Sequence, residues 1–428
     1  MASEGVSIVE VICTPGRAGF FFDDQAAIRQ GVPHEGFDYQ GPSVSEGYSR
    51  IRQPAESVSV MLLLSDGEVA LGDCAAVQYS GAAGRDRLFR PREAIEAIRD
   101  HVRPRLLGMA LDSFRDLAGM IDGLEVEGEL LHSAVRYGVT QALLDAVARA
   151  HKVTMAEVIR DEYRTGIPIA VVPMFVQCGD ERFESVERMI LKEVEVLPHG
   201  LVNNVATKVG EDGEILLQYV KWVRDRVFSL RESQVYEPLL HFDCYGTIGE
   251  AFEGDVGRVA VYLARLAAAA APLGLRIEHP LDAGSREGQI RAMAALRHEL
   301  RSRQIAVELV VDEWCNTLED IEAFVAGEAA DVIHVKLPDL GGVNNAINAL
   351  LYVKLHGLKA YCGGSCTETD RSAQVSAHIA MACGANQVLA KPGMGVDEGL
   401  LIVGNEMARV AALVALRKQR TITDPSHV

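Results

Sequence analysis

Four residues in the second half of the chain have types and spacings suited to chemistry at a substrate carbon: Asp243, Glu278, Asp312 and Lys336. Each ends a short β-branched or apolar run, and the three acids follow one another at 35 and 34 residues, about one strand–helix unit each. Carboxylates delivered by consecutive strands meet at one edge of a sheet, where like charges repel unless a cation lies among them. Hard oxygen donors from only three side chains leave room for water and substrate, which suits Mg2+, with Mn2+ as the alternative, rather than zinc. A single strand-end acid is more often a helix cap or an ion-pair partner; three in register argue for a metal. Lys336 closes Val332-Ile333-His334-Val335-Lys336. A lysine partly desolvated beside a cation gives up its proton more readily, which makes it usable as a general base near neutral pH. The two-residue period of a strand puts His334 on the same face, inside the fold beneath Lys336.

The elements that must hold these residues read as a parallel sheet. From Ile169 onward, eight short runs alternate with longer helical stretches: Ile169–Val176, Leu201–Val205, Leu239–Phe242, Leu275–Ile277, Ala306–Val311, Val332–Val335, Lys359–Tyr361 and Gln387–Ala390. That alternation predicts an α/β fold with a C-terminal TIM-type (β/α)8 barrel, whose active sites sit at the C-terminal ends of the strands. The residues at those ends are Gln177, Asp243, Glu278, Asp312 with Glu313, Lys336, Cys362 and Lys391. An open doubly wound sheet is the alternative, but no GxGxxG follows an early strand. Lys391-Pro392-Gly393-Met394-Gly395 lacks phosphate-loop spacing and reads as a tight turn.

The first 165 residues read as a separate α+β domain. Asp66-Gly67 between Val58–Leu64 and Val69–Leu71 predicts a hairpin, because the turn needs positive φ. Pro91 suits the first turn of a helix with Ala94, Ile95, Ile98 and Val102 on one face, and a second amphipathic helix carries Ala134 to Val147. Thr154 with Glu157 makes a capping box, so a helix is expected from Met155. The barrel is expected over residues 166–417 and a frayed tail over 418–428, where Pro425 sits among polar residues.

Composition excludes several classes. The formal net charge of −18 disfavours nucleic acid and anionic membranes as partners. No basic-then-apolar leader opens the chain, which points to the cytoplasm. The longest apolar tract, Leu266 to Leu275, is interrupted by Pro272 and is too short to span a bilayer. Eight cysteines without a CxxC pair are expected to be free thiols.

A divalent metal on three strand-end carboxylates with a lysine base resembles the arrangement by which the enolase superfamily removes a proton next to a carboxylate. Five longer runs, Gly72–Gly81, Thr154–Tyr163, Asp312–Thr317, Pro338–Asn345 and Lys391–Gly399, resemble methylaspartate ammonia-lyases and spread over nearly the whole chain. The resemblance implies an enolase-like N-terminal α+β capping domain on the barrel. It also implies β-elimination of ammonia from (2S,3S)-3-methylaspartate to mesaconate, a homodimer, and K+ as an activator. It implies Asp243, Glu278 and Asp312 as metal ligands, Lys336 as base and His199 as a second catalytic group across the substrate. Gln78, Gln177 and Cys366 match positions that hold the carboxylates and the amino group, and Leu389 matches the methyl pocket. Three residues depart from the family pattern: His334 stands for Gln, Ser365 for Thr and His279 for Gly. His334 and Ser365 therefore bear on substrate scope, and the alternative is an enolase-superfamily lyase or epimerase acting on a related amino or hydroxy dicarboxylate.

Overall fold

In the computed structural model, which describes residues 5–423, the chain opens on three antiparallel strands, β1 (Ile8–Asp23), β2 (Arg52–Leu64) and β3 (Val69–Cys74), with β2 in the middle. The hairpin between β2 and β3 turns at the Asp-Gly pair: Gly67 has φ +90°, and the Leu64 amide donates to the Glu68 carbonyl. Helix α1 (Pro91–Ala97) starts at its proline, whose missing N–H costs nothing in the first turn. After α2 (Ser133–Ala150), α3 (Met155–Glu162) begins behind its capping box. There the Thr154 hydroxyl accepts from the Glu157 amide at 3.2 Å while the Glu157 carboxylate accepts from the Thr154 amide at 2.8 Å.

Helix α2 is not the amphipathic helix that its sequence suggests. It is buried on nearly every side, because it lies between the capping sheet on one face and the barrel helices on the other. Its polar residues are spent on those neighbours. Gln141 donates to the Asp73 carbonyl at 3.0 Å, Tyr137 donates to Glu368 Oε1 at 3.1 Å, and Thr140 Oγ1 accepts from the Val343 amide at 2.9 Å. Two glycines let α2 touch β3. A Cβ on Gly138 would stand 2.4 Å from the Cys74 nitrogen, and one on Gly72 would stand 2.3 Å from the Gly138 carbonyl.

Eight parallel strands then close into a barrel: β4 (Met174–Val176), β5 (Val196–His199), β6 (Leu239–Asp243), β7 (Leu275–Glu278), β8 (Glu308–Val311), β9 (Val332–Lys336), β10 (Lys359–Gly363) and β11 (Val388–Ala390), with β11 pairing β4. The second strand is thus Val196–His199 rather than Leu201–Val205. Leu201 already turns at φ +44°, and Val205–Val209 is a single helical turn. Inside the barrel Phe175, Val196, Val310, Val332, Tyr361 and Leu389 form an apolar layer, so the lumen is a packed core.

Among the helices around the barrel, α4 (Val343–Leu355), α5 (Asp370–Cys383) and α6 (Asn405–Thr423) close the circuit. Helix α6 continues to Thr423, past Lys418 where the sequence suggests fraying, and Arg417 pairs with Glu157 of the capping box. Residues 424–428 of the expected tail lie outside the described residues. The run Val396–Arg420 is long and apolar enough, by length and composition alone, to cross a bilayer. Here it is docked on the barrel by buried Val403, Met407 and Val410 and by His378 donating to Glu406. All eight cysteines are free thiols.

Two outcomes follow from the seam between cap and barrel. Gly138→Ala forces β3 and α2 apart and is expected to cost about 1–3 kcal/mol in urea unfolding. Glu368 is buried at this seam, and burial raises its carboxyl from 4.5 to about 7 against the pull of the Ser376 and Tyr137 hydroxyls. The folded state therefore binds that proton more tightly than the unfolded chain. Stability from this group is complete below about pH 4.5 and is lost as pH rises through about 7. Glu368→Gln is expected to gain on the parent by up to about 3 kcal/mol between pH 4.5 and 8, read from paired denaturation curves; a pH-independent difference would refute the assignment.

Candidate active site

Strand register sets the height of each functional side chain. Asp243 on β6 lies level with Glu278 on β7, Glu278 lies level with Val310 on β8, and Val310 lies level with Val332 on β9. Two residues on, Asp312 and His334 therefore share the next level up. The three acids are not side by side as their spacing suggests: the stagger that closes a barrel lifts Asp312 one pleat and leaves it facing His334 and Lys336. The period of two explains what lies beneath. His241, Arg276 and His334 precede Asp243, Glu278 and Lys336 by two residues and share their faces.

A buried chain of hydrogen bonds rises through the lumen to Glu278. Arg276 Nη1 donates to Gln387 Oε1 at 2.5 Å, and Gln387 Nε2 donates to His241 Nδ1 at 3.0 Å. That leaves His241 Nε2 to donate to Glu278 Oε2 at 2.8 Å, so the amide fixes the imidazole tautomer. Tyr361 donates to the same oxygen at 2.6 Å, and His334 Nδ1 meets Glu278 Oε1 at 3.2 Å. Burial alone would raise the Glu278 carboxyl, but the hydrogen bonds from His241 and His334 outweigh it and hold it well below the usual range.

Asp312 is likewise held below the usual range against burial by the Lys336 ammonium, whose Nζ donates to Oδ2 at 2.6 Å. Among the described residues Asp243 has no ammonium so close; it meets His199 Nε2 at 3.4 Å and accepts from the Tyr245 amide at 3.4 Å. Burial and then the charges of Glu278, Glu313 and Asp312 push its carboxyl well above the usual range. Burial lowers the Lys336 amine, but the Asp312 carboxylate outweighs this and holds it above its ordinary value. A lysine so paired keeps its proton until the charge of Asp312 is drawn elsewhere.

Glu278, Asp312 and His334 each present one donor atom within 4.8 Å of one another, all buried. Acidic oxygens crowded in this way fit a divalent cation, which would offset the burial and the neighbouring charges that raise the Asp243 carboxyl.

Above them is a cavity of about 30 Å³. It brings together Gln78, His199, Asp243, Asp312, His334, Lys336 and Ser365. Glu278, Gln177, Cys366 and Leu389 do not line it. Glu278 lies below, Leu389 belongs to the apolar layer of the lumen, and Cys366 donates to Gln78 Oε1 at 3.2 Å. Gln177 accepts from the Gly179 amide while its buried Nε2 has no partner among the described residues. Gln78 is oriented by Asp23, which accepts from its Nε2 at 2.7 Å and is itself held by Arg52. His199 is buried beside Lys391, whose Nζ stands 3.3 Å from Nε2; burial first, then that charge, keeps the imidazole neutral.

Arg85, Glu313, Tyr79, Tyr245 and Lys391 also line the cavity. Glu313 and Lys391 are visible in the sequence as strand-end residues. Arg85 is not: it reaches from the cap to donate to Asp339 at 2.9 Å, 254 residues away. Tyr79 and Tyr245 are shared with an outer vestibule of about 580 Å³ between the cap and the barrel loops. The backbone is strained around this rim: His199, Tyr245, His279 and Trp314 all have φ between +46° and +66°.

Residues 6–164 match the family of the methylaspartate ammonia-lyase N-terminus, and residues 167–416 match that of the methylaspartate ammonia-lyase C-terminus. The chain is 55% identical over 413 residues to methylaspartate ammonia-lyase from Clostridium tetanomorphum, an alignment covering 96% of this chain and all of that one. The Mg complex of β-methylaspartase from the same organism superposes with a TM-score of 0.92, covering 96% of this chain and 100% of that chain. The Citrobacter amalonaticus enzyme, solved with (2S,3S)-3-methylaspartic acid, is 48% identical with a TM-score of 0.93 over 96% of this chain and 100% of that chain. Muconate lactonizing enzyme, 16% identical with a TM-score of 0.58 over 88% of this chain and 85% of that one, shares the fold.

Cation binding at the acid cluster is expected to stabilise the folded state by about 2.7 kcal/mol at a hundred times Kd. The readout is a rise in the thermal unfolding midpoint on adding Mg2+ to chelator-treated protein, lost in Glu278→Gln. An unchanged midpoint in the parent would argue against a metal at this position.

Proposed function

The chain belongs to the methylaspartate ammonia-lyase family and is a carbon–nitrogen lyase, and from that premise we propose that it eliminates ammonia from (2S,3S)-3-methylaspartate to give mesaconate. The observation that carries this reading is the Lys336 amine, 2.6 Å from Asp312 in a cavity shared with Asp243 and His199. Asp243, Glu278 and Asp312 would hold Mg2+, or Mn2+ in its place. The cation supplies positive charge where negative charge develops on the substrate carboxylate as the adjacent carbon loses its proton.

Lys336 then takes the proton from C3. Its amine is free to do so once Asp312 no longer offers it an unshared negative charge. The electron pair left on C3 forms the C2–C3 double bond, the C2–N bond breaks, and the amino group leaves as ammonia. Gln78, with Ser365 beside it in the cavity, holds the amino group and a carboxylate by hydrogen bonds; Gln177 and Cys366 outside its lining, and Leu389 in the apolar layer, would complete the contacts to the polar groups and the methyl group. His199, neutral and directed by Lys391, acts as a hydrogen-bonding group at the opposite side of the substrate. His334 supports a second reading in which a related amino or hydroxy dicarboxylate is the preferred substrate. An imidazole presents one donor and one acceptor at an angle that an amide does not.

Family membership supports the rest of the reading: a junction between capping domain and barrel near residue 165, a homodimer, K+ as activator, and a cytoplasmic location. The test is absorbance of the conjugated diacid formed from (2S,3S)-3-methylaspartate with and without Mg2+. Parent protein is expected to form it only with the metal, and Lys336→Ala to lose activity by at least ~10³-fold. Undiminished turnover by the variant would remove Lys336 as the base. Proton exchange at carbon in deuterated solvent, screened over related diacids, separates the two substrate readings.

A further inference from the structure

His334 is the nitrogen-bearing member of the Glu278, Asp312 and His334 group, and its setting is that of a ligand. The ring is 2% exposed and stacked on Tyr361 with centroids 4.2 Å apart and planes 17° apart, so its direction is fixed by packing. Its Nδ1 stands 3.2 Å from Glu278 Oε1 and 3.5 Å from Asp312 Oδ1. Adjacent donors on one octahedral cation with bonds of about 2.1 Å stand about 3.0 Å apart, so Nδ1 lies near that spacing from each carboxylate oxygen, and all three donors fall within 4.8 Å of one another. The opposite nitrogen, Nε2, is buried with no hydrogen-bond partner among the described residues. Nothing there fixes which ring nitrogen carries the proton, so Nδ1 can turn its lone pair to a cation, the proton then resting on Nε2 as a buried N–H without an acceptor. Register supports the same grouping: the barrel stagger sets His334 level with Asp312 and Asp243 level with Glu278.

Resting on the reading that these carboxylates hold a divalent cation, we propose that His334 ligates it through Nδ1. The site is then a nitrogen–oxygen set, completed by Glu278, Asp312 and Asp243, that favours Mn2+ and other imidazole-accepting transition cations over Mg2+. The chemical ground is donor softness. Imidazole adds more to the binding of a first-row transition ion than to that of Mg2+, whose preference is for oxygen throughout.

The test loads chelator-treated full-length protein with Mn2+ and records its pulsed electron paramagnetic resonance. Echo modulation from a directly bound ¹⁴N is expected in the parent and absent in His334→Gln. In parallel, competitive dialysis of Mn2+ against Mg2+ is expected to show preference for Mn2+ falling by about tenfold in the variant. Circular dichroism establishes that the variant is folded, and His334→Asn takes its place if it is not. Mn2+ held equally by both proteins without nitrogen modulation overturns the ligand assignment while leaving the cation site intact. Modulation unchanged in the variant overturns it too, assigning the nitrogen to His199 or His241. Failure of Mn2+ to bind either protein overturns the cation reading and this assignment together.

Discussion

Several carboxylates confined where water is scarce cannot all remain charged without compensation, and the structure around the barrel mouth is organised by that repulsion. Glu278 stays ionised because two imidazoles and a tyrosine converge on it. Asp312 stays ionised because Lys336 sits on it and Arg85 lies behind at 3.9 Å. Asp243, with the weakest compensation, is driven towards its protonated form. This uneven distribution is what a cation would even out, and it ties the base to the metal: the acid that would bind the ion is the acid that holds the lysine's proton.

The capping domain is part of this balance. It supplies Gln78, Tyr79 and Arg85 to a cavity whose other walls belong to the barrel. The seam that holds it there is built on α2, a helix with no solvent face and with hydrogen bonds in both directions. Gly72 and Gly138 set the distance between β3 and α2 by leaving no room for a side chain. Packing far from the chemistry thus fixes where Gln78 stands relative to Lys336.

Much of this was legible in the sequence, and the reasons are specific. The strand-end acids and Lys336 stood out because barrel strands are short and their last residues fall at fixed intervals. His334 was placed correctly beneath Lys336 by the period of two. The second strand was missed because Val196–His199 contains Pro198, a residue depleted in strands, while Leu201–Val205 nearby is richer in apolar residues. Helix α2 was misjudged because periodicity records which faces are apolar, whereas its polar residues are buried in specific bonds. Level placement of three acids failed because spacing along the chain carries no information about stagger between strands. Arg85 left no trace, since a contact across 254 residues has no local signature.

The four left-handed residues at the rim have a consequence for how this molecule could change. Left-handed backbone costs an ordinary side chain about 1–2 kcal/mol, and His199, Tyr245, His279 and Trp314 all bear that strain where strands leave the barrel. The catalytic face thus stores backbone strain of its own. A lineage drifting towards hotter surroundings would gain here by letting glycine into a turn, and would lose at the same stroke a side chain that shapes the mouth. His279 stands at one such fork. Adaptation to heat and adaptation to a new substrate compete for the same few residues.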